Sequence, residues 1–251
     1  MWLIYLYLFL FGSCIGSFVN VAALRTAEGR SFVKGRSQCP HCGQTLKAYE
    51  LIPVFSYIFL RGRCGHCKAK ISPRYFFVEV ASGLVFVFCF WWYGPGWEAA
   101  GTCLLGALLI CVFLVDMQAK IIPNGLIVCF IAPAIIELVR TGGADIWGRV
   151  IGFFVVSAPL FLLTLLIPDC FGGGDIKLTA VCGFILGFRA MLLAAFLAIV
   201  SCGLIAGVRL VLKKVKKSDH IAFGPYLACS ILFAKWFYAP IMAAYLSCMQ
   251  L

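Results

Sequence analysis

Apolar runs of membrane-spanning length recur from one end of this sequence to the other, and no other feature constrains its fold so tightly. A helix that crosses a bilayer needs about 20 predominantly apolar residues. Such stretches occur at 2–24, 75–93, 99–115, 121–139, 150–167, 190–212 and 221–246, with a shorter one at 178–188. Of the 251 residues, 63% are hydrophobic and only 12% charged. A soluble domain is about half apolar and a quarter charged. Its surface is already more than half apolar, so a soluble fold has nowhere to hide this excess. Soluble enzymes, nucleic-acid-binding domains and disordered tails therefore do not fit. A transmembrane barrel would read as short alternating segments, and that pattern is absent. The predicted fold class is an all-α polytopic membrane protein of about eight transmembrane helices, with one small polar insert between the first and second.

Orientation follows from charge. The chain carries 21 Lys and Arg against 10 Asp and Glu, a formal net charge of +11. Ten of the basic residues lie between Arg25 and Arg74, and four more (Lys213, Lys214, Lys216, Lys217) follow the seventh run. With eight spans both stretches share a side with Lys120 and Lys177, while the opposite loops hold Arg140, Arg149 and Arg189. The positive-inside rule makes the richer side cytoplasmic. Topology thus accounts for the positive charge without nucleic acid, and the basic face also suits the anionic lipid of the bilayer. The first run has no basic residue before it and no small-residue cleavage site after it, so it is read as a permanent helix.

The chain divides into a first helix (1–24), a cytoplasmic insert (25–74) and a membrane core (75–251). Most of the 14 cysteines sit in or beside apolar runs, where a thiol acts as a small hydrophobe. Four do not. Cys39-Pro-His-Cys42 and Cys64-Gly-His-Cys67 are two CxxC knuckles with 21 residues between them, both inside the insert. Thiolates three positions apart on a tight turn face one ion, and two such turns complete a tetrahedral zinc site. An insert this small has little core of its own, so a structural metal is expected. The reducing cytoplasm argues against disulfides.

The ten acids are few enough to weigh singly. Glu79 and Glu137 lie near the ends of runs, where a local ion pair or a reach to water is expected. Asp169 follows Pro168 at a helix end and is explained by solvation. Asp116 closes the third run, and Asp175 follows Gly172-Gly173-Gly174 between the fifth and sixth, with Lys177 just beyond. Both acids fall at the cytoplasmic ends of their runs. A carboxylate inside a membrane costs about 2.5–3.5 kcal/mol and usually has a function. Three glycines in a row make a poor helix and are expected to form a loop whose bare backbone can grip an extended peptide. Two carboxylates brought together supply acid and base at once, because close like charges cannot both ionise easily. That is the chemistry of aspartyl proteolysis. Ion or proton transport through the same acids is the alternative, weakened by the missing inverted repeat.

These residues resemble the type IV prepilin peptidases, intramembrane aspartyl proteases of the GxGD type. Gly172-Gly173-Gly174-Asp175 with Lys177 stands for GxGD and its lysine, and Asp116 with Ile122-Pro123 for the first catalytic acid. Gly16-Ser17-Phe18-Val19-Asn20-Val21 with Arg25, the two knuckles, Leu60-Arg61-Gly62-Arg63-Cys64, Ile71-Ser72-Pro73-Arg74-Tyr75 and Phe223-Gly224-Pro225 complete the match. Asn124 departs from the family's Asp, and Ala48-Tyr49-Glu50 from its usual Asp/Glu-Asn pair. The resemblance implies an inner-membrane enzyme of a bacterium. It would remove the basic leader of prepilin or pseudopilin precursors on the cytoplasmic side, after a Gly, through Asp116 and Asp175. It further implies N-methylation of the new N-terminal residue with S-adenosylmethionine, although no glycine-rich nucleotide loop is visible.

Overall fold

The computed structural model describes residues 2–30, 37–39, 41–167, 170–212 and 222–249. Lys213, Lys214, Lys216, Lys217 and Asp169 lie outside them. Among the described residues the chain is helical and contains only two isolated β-bridges. It forms two compact units, Met1–Pro95 and Gly96–Leu251.

In the first unit α1 (Trp2–Ala27) pairs with α3 (Arg74–Tyr93), and a short α2 (Phe55–Phe59) lies between them in sequence. Glycines make the pairing close. A Cβ on Gly12 would stand 2.8 Å from the Cβ of Phe86, and one on Gly16 would stand 2.6 Å from the Cβ of Ser82. Backbone approach of this kind is how membrane helices associate when lipid is as apolar as their own side chains.

The second unit comprises α4 (Trp97–Ala119), α5 (Asn124–Cys129), α6 (Ile131–Arg140), α7 (Ile146–Leu166), α8 (Gly173–Leu186), α9 (Phe188–Val211) and α10 (Gly224–Met249). Its core gathers Leu105, Leu109 and Val112 of α4 with Phe130, Leu178, Met191, Leu227 and Ile231. Here Gly152 of α7 and Gly183 of α8 press backbone on backbone, whereas Gly203 and Gly207 of α9 meet nothing. Outward-facing residues such as Phe154, Leu162, Phe196 and Ile199 are exposed, as lipid contact requires and water would penalise.

Six described helices are long and apolar enough to cross a membrane: α1, α3, α4, α7, α9 and α10. The expected total of eight is therefore not reached by length. The fourth run is broken at Phe130 into α5 and α6. Pro133 has no N–H to return to the carbonyl of Cys129, which removes the bond that would join the two helices. The sixth run becomes α8, stopped after 14 residues by Gly187 at φ 79°. At 1.5 Å per residue it is about 21 Å long, short of a hydrocarbon core of about 30 Å. Its last carbonyls, on Phe184 and Ile185, accept from the Arg149 guanidinium at 3.2 and 3.0 Å.

That arginine belongs to an ion cluster. Glu137 is buried and faces Arg140 at 2.7 Å, Lys235 at 3.2 Å and Arg149 at 3.4 Å. The cluster ties α6, α7 and α10 together, and it meets the start of α4 through Glu98.

Candidate active site and metal centre

The knuckles fold as near-duplicates. Cys39 N–H donates to Gln44 O and Gly43 N–H to Cys39 O; Cys64 N–H donates to Ala69 O and Lys68 N–H to Cys64 O, at the same spacings. Gly43 and Lys68 both take the left-handed turn, at φ 70° and 59°. The four Sγ atoms lie within 4.8 Å of one another, and those of Cys39 and Cys67 are 3.9 Å apart. Four sulfurs about 2.3 Å from a zinc ion stand about 3.8 Å apart, so the set is within about 1 Å of the spacing a tetrahedral ion needs. Backbone N–H groups of Cys42 and then His41 lower the pKa of the Cys39 thiol to about 6, while that of Cys67 rises to about 11, the backbone N–H of Ala69 being outweighed by burial and the three neighbouring sulfurs. His41 and His66 are exposed, and the cluster consists of the four cysteines. Tyr57 fastens this region to α3, packing on Phe76 with ring centroids 5.3 Å apart.

In the second unit the chain brings its two singled-out acids to one place. Asp116 sits in the last turn of α4 and is 4% exposed. A helix C-terminus disfavours a negative charge. The compensation comes from another helix: Gly224, the first residue of α10, donates its N–H to Asp116 Oδ2 at 2.9 Å. Helix N-termini favour anions for the same reason that C-termini repel them. Lys120 closes α4 in a left-handed conformation, its N–H on the Asp116 carbonyl, and turns the chain toward Ile122.

Asp175 lies in the first turn of α8, its N–H on Gly172 O at 3.0 Å. Its Oδ1 is buried and has no hydrogen-bond partner among the described residues. The charge of Asp116 acts on it directly. Two contacts close the path between them. Phe171, just before the glycines, packs edge-on against Phe223, just before Gly224, at 5.7 Å. Ile122 seats so tightly on the start of α8 that a Cβ on Gly174 would stand 2.7 Å from its Cβ.

The glycine run is not the open loop expected. Gly172 is the N-cap, and Gly173 and Gly174 already belong to α8. The first helical N–H groups have no intrahelical acceptor in any case, so low helix propensity matters little there. What Gly174 supplies is space for Ile122. Lys177 stands in the helix just beyond and donates to Asn124 Oδ1 at 2.7 Å, which links α8 to α5. Sequence reasoning noted Phe223-Gly224-Pro225 as a motif but missed its part, a backbone donor for Asp116. Only the glycine itself, placed where an apolar run begins, hinted at a close approach.

The chain is similar to known proteins along most of its length. Residues 10–93 match the Bacterial Peptidase A24 N-terminal domain, and residues 103–207 match the Type IV leader peptidase family. A protein of Bacillus subtilis (strain 168) named prepilin leader peptidase/N-methyltransferase is 32% identical, over 95% of this chain and 96% of its own length. Proteins of the same name from Stutzerimonas stutzeri and Neisseria gonorrhoeae are each 30% identical. They align over 94% and 87% of this chain, and over 91% and 85% of their own lengths. No solved structure matches the chain significantly. The transport alternative draws no support from these relatives.

Proposed function

This chain belongs to the type IV leader peptidase family, and from that premise we propose that it is a bifunctional membrane enzyme of prepilin or pseudopilin maturation. It removes the leader peptide after a glycine at the cytoplasmic face of a bacterial inner membrane, and it methylates the new N-terminus. Residues 25–74 hold a structural zinc ion on Cys39, Cys42, Cys64 and Cys67. The acids lie within 75–251. The basic residues at 25–74 and 213–217, which the sequence reading puts on the same side as both acids, support the cytoplasmic orientation.

The observation that carries the peptidase reading is the convergence of Asp116 and Asp175 through Gly224, Phe223 and Phe171. Their environments divide the labour. The N–H of Gly224 favours the charged form of Asp116. The unpartnered Oδ1 of Asp175 would be expensive to bury as an anion, so Asp175 keeps the shared proton. Asp116 takes a proton from water as it attacks the scissile carbonyl, and Asp175 donates its own to that carbonyl oxygen. Collapse of the tetrahedral species with proton return to the leaving nitrogen frees the mature N-terminus. Gly172 and the first turn of α8 offer bare backbone for an extended leader to lie against.

For the second activity, S-adenosylmethionine supplies a sulfonium methyl group, which an unprotonated amine takes to leave a neutral thioether. The chain's part is to bind the donor and to present the amine.

The test is co-expression with a prepilin, reading the mass and N-terminus of the product. Asp116→Asn and Asp175→Asn should each leave folded protein in the membrane and abolish cleavage. Continued processing by either variant removes that residue from the dyad.

A further inference from the structure

Two motif segments, Gly16 to Val21 and Ile71 to Tyr75, lie in the first unit and contain neither of the two acids. On α1, Ser13, Ser17 and Asn20 follow one another at spacings of four and three, so they share one helix face. On α3, Arg74 begins the helix, and Glu79 and Ser82 follow on neighbouring turns. Ser13, Asn20 and Ser82 are wholly buried and Glu79 is 7% exposed. The helices run antiparallel in a register fixed by glycines. Gly12 meets Phe86 and Ser82, and Gly16 meets Ser82, Val78 and Glu79. One further turn of α1 brings Asn20 to the level between Glu79 and Arg74.

Packing alone does not explain this set. Among the described residues, both amide atoms of Asn20, and Nε and Nη2 of Arg74, are buried without a hydrogen-bond partner, as are the hydroxyls of Ser13 and Ser82. Each such group costs about 1–3 kcal/mol if nothing ever satisfies it. Apolar residues of similar size would join the two helices better. Glu79 by contrast is held in place. Its Oε2 accepts the N–H of Val54 at 2.8 Å, and Ser17 hydrogen-bonds it as well. Val54 adopts φ 64° to make that bond, a left-handed conformation that a β-branched residue rarely takes and that gathers at functional sites.

The free groups describe a ligand. A guanidinium with unused N–H donors recognises a carboxylate. A fixed buried carboxylate recognises an ammonium or sulfonium. An amide with donor and acceptor both free can serve either. We propose that Asn20, Arg74 and Glu79 form the site for the α-amino-acid end of S-adenosylmethionine. A peptide N-terminus offers the ammonium without a neighbouring carboxylate and would leave Arg74 unmatched. The proposal rests on the methyl-transfer reading and gives it a place in the first unit.

The test uses the full chain in detergent and equilibrium dialysis of labelled S-adenosylmethionine. Competition is by S-adenosylhomocysteine and by 5′-methylthioadenosine, which lacks the amino-acid end. Glu79→Gln keeps an acceptor for Val54, and Asn20→Leu keeps the volume. Each should weaken S-adenosylmethionine binding about tenfold or more, with methylthioadenosine affinity and leader cleavage within about twofold of the parent. Variants that bind S-adenosylmethionine as the parent does, or that lose both ligands equally, overturn the site. If the parent cleaves leaders but neither binds S-adenosylmethionine nor transfers a methyl group, the methyl-transfer reading falls and the site with it. A parent that methylates beside variants of undiminished affinity sinks only the site.

Discussion

Replacing Gly224 with alanine is the sharpest perturbation the second unit allows, because it touches one of the two proposed catalytic acids, Asp116, through backbone alone. An alanine Cβ there would lie 2.8 Å from Oδ2 of Asp116, 3.0 Å from its Cγ and 3.1 Å from its Cβ. Ordinary van der Waals contact begins near 3.4 Å, so the carboxylate must retreat by about half an ångström or more. The 2.9 Å bond from Gly224 N–H then stretches or breaks. A hydrogen bond to a charged group is worth about 1.5–3 kcal/mol, and a misplacement of about 1 Å can cost 10²-fold in rate. Cleavage should therefore slow by about 10- to 100-fold in kcat. KM should barely move, since Gly224 meets Asp116 rather than substrate. Stability should fall by no more than about 1–3 kcal/mol, the cost of one overpacked contact at the first residue of α10. The assay is steady-state cleavage of a purified prepilin by detergent-solubilised protein, with a thermal melt alongside. A Gly224→Ala enzyme with parental kcat and an unshifted melt would refute the coupling between α10 and Asp116.

Cys39→Ser or Cys64→Ser should release zinc, read by elemental analysis of purified protein, and should depress methyl transfer more than cleavage; unchanged metal content would contradict the four-thiolate assignment. Glu137→Ala should destabilise the second unit by about 3 kcal/mol, because it removes the buried carboxylate that Arg149, Arg140 and Lys235 share. Thermal unfolding in detergent measures it, and an unaltered melt would show that the cluster contributes nothing.

What was legible in the sequence was whatever chemistry is spelled out by local spacing. The two CxxC pairs announced a cluster before any coordinates, because three-residue spacing on a tight turn settles where thiols point. Asp116 and Asp175 stood out because charge is scarce in an apolar chain. Helix length was less legible. By hydropathy the run at 121–139 reads as one span, yet Pro133 parts it at Phe130 into α5 and α6. Nor does hydropathy register that Gly187 halts α8. The glycines before Asp175 suggested a loop by propensity alone. What Gly174 provides, room for Ile122, is a long-range contact that no local rule contains. The donor on Gly224 lay 108 residues from the acid it serves, and a backbone N–H has no signature in a string of side chains. Asn20 and Arg74 were visible only as motif letters until their unpaired atoms could be seen.

Whether the two acids act as one dyad is tested most directly by a structure of the protein bound to a leader peptide whose scissile amide is replaced by a hydroxyethylene isostere. The isostere's hydroxyl should lie about 3 Å from a carboxylate oxygen of Asp116 and from one of Asp175. A hydroxyl within reach of only one acid, or a peptide bound elsewhere on the protein, would contradict it.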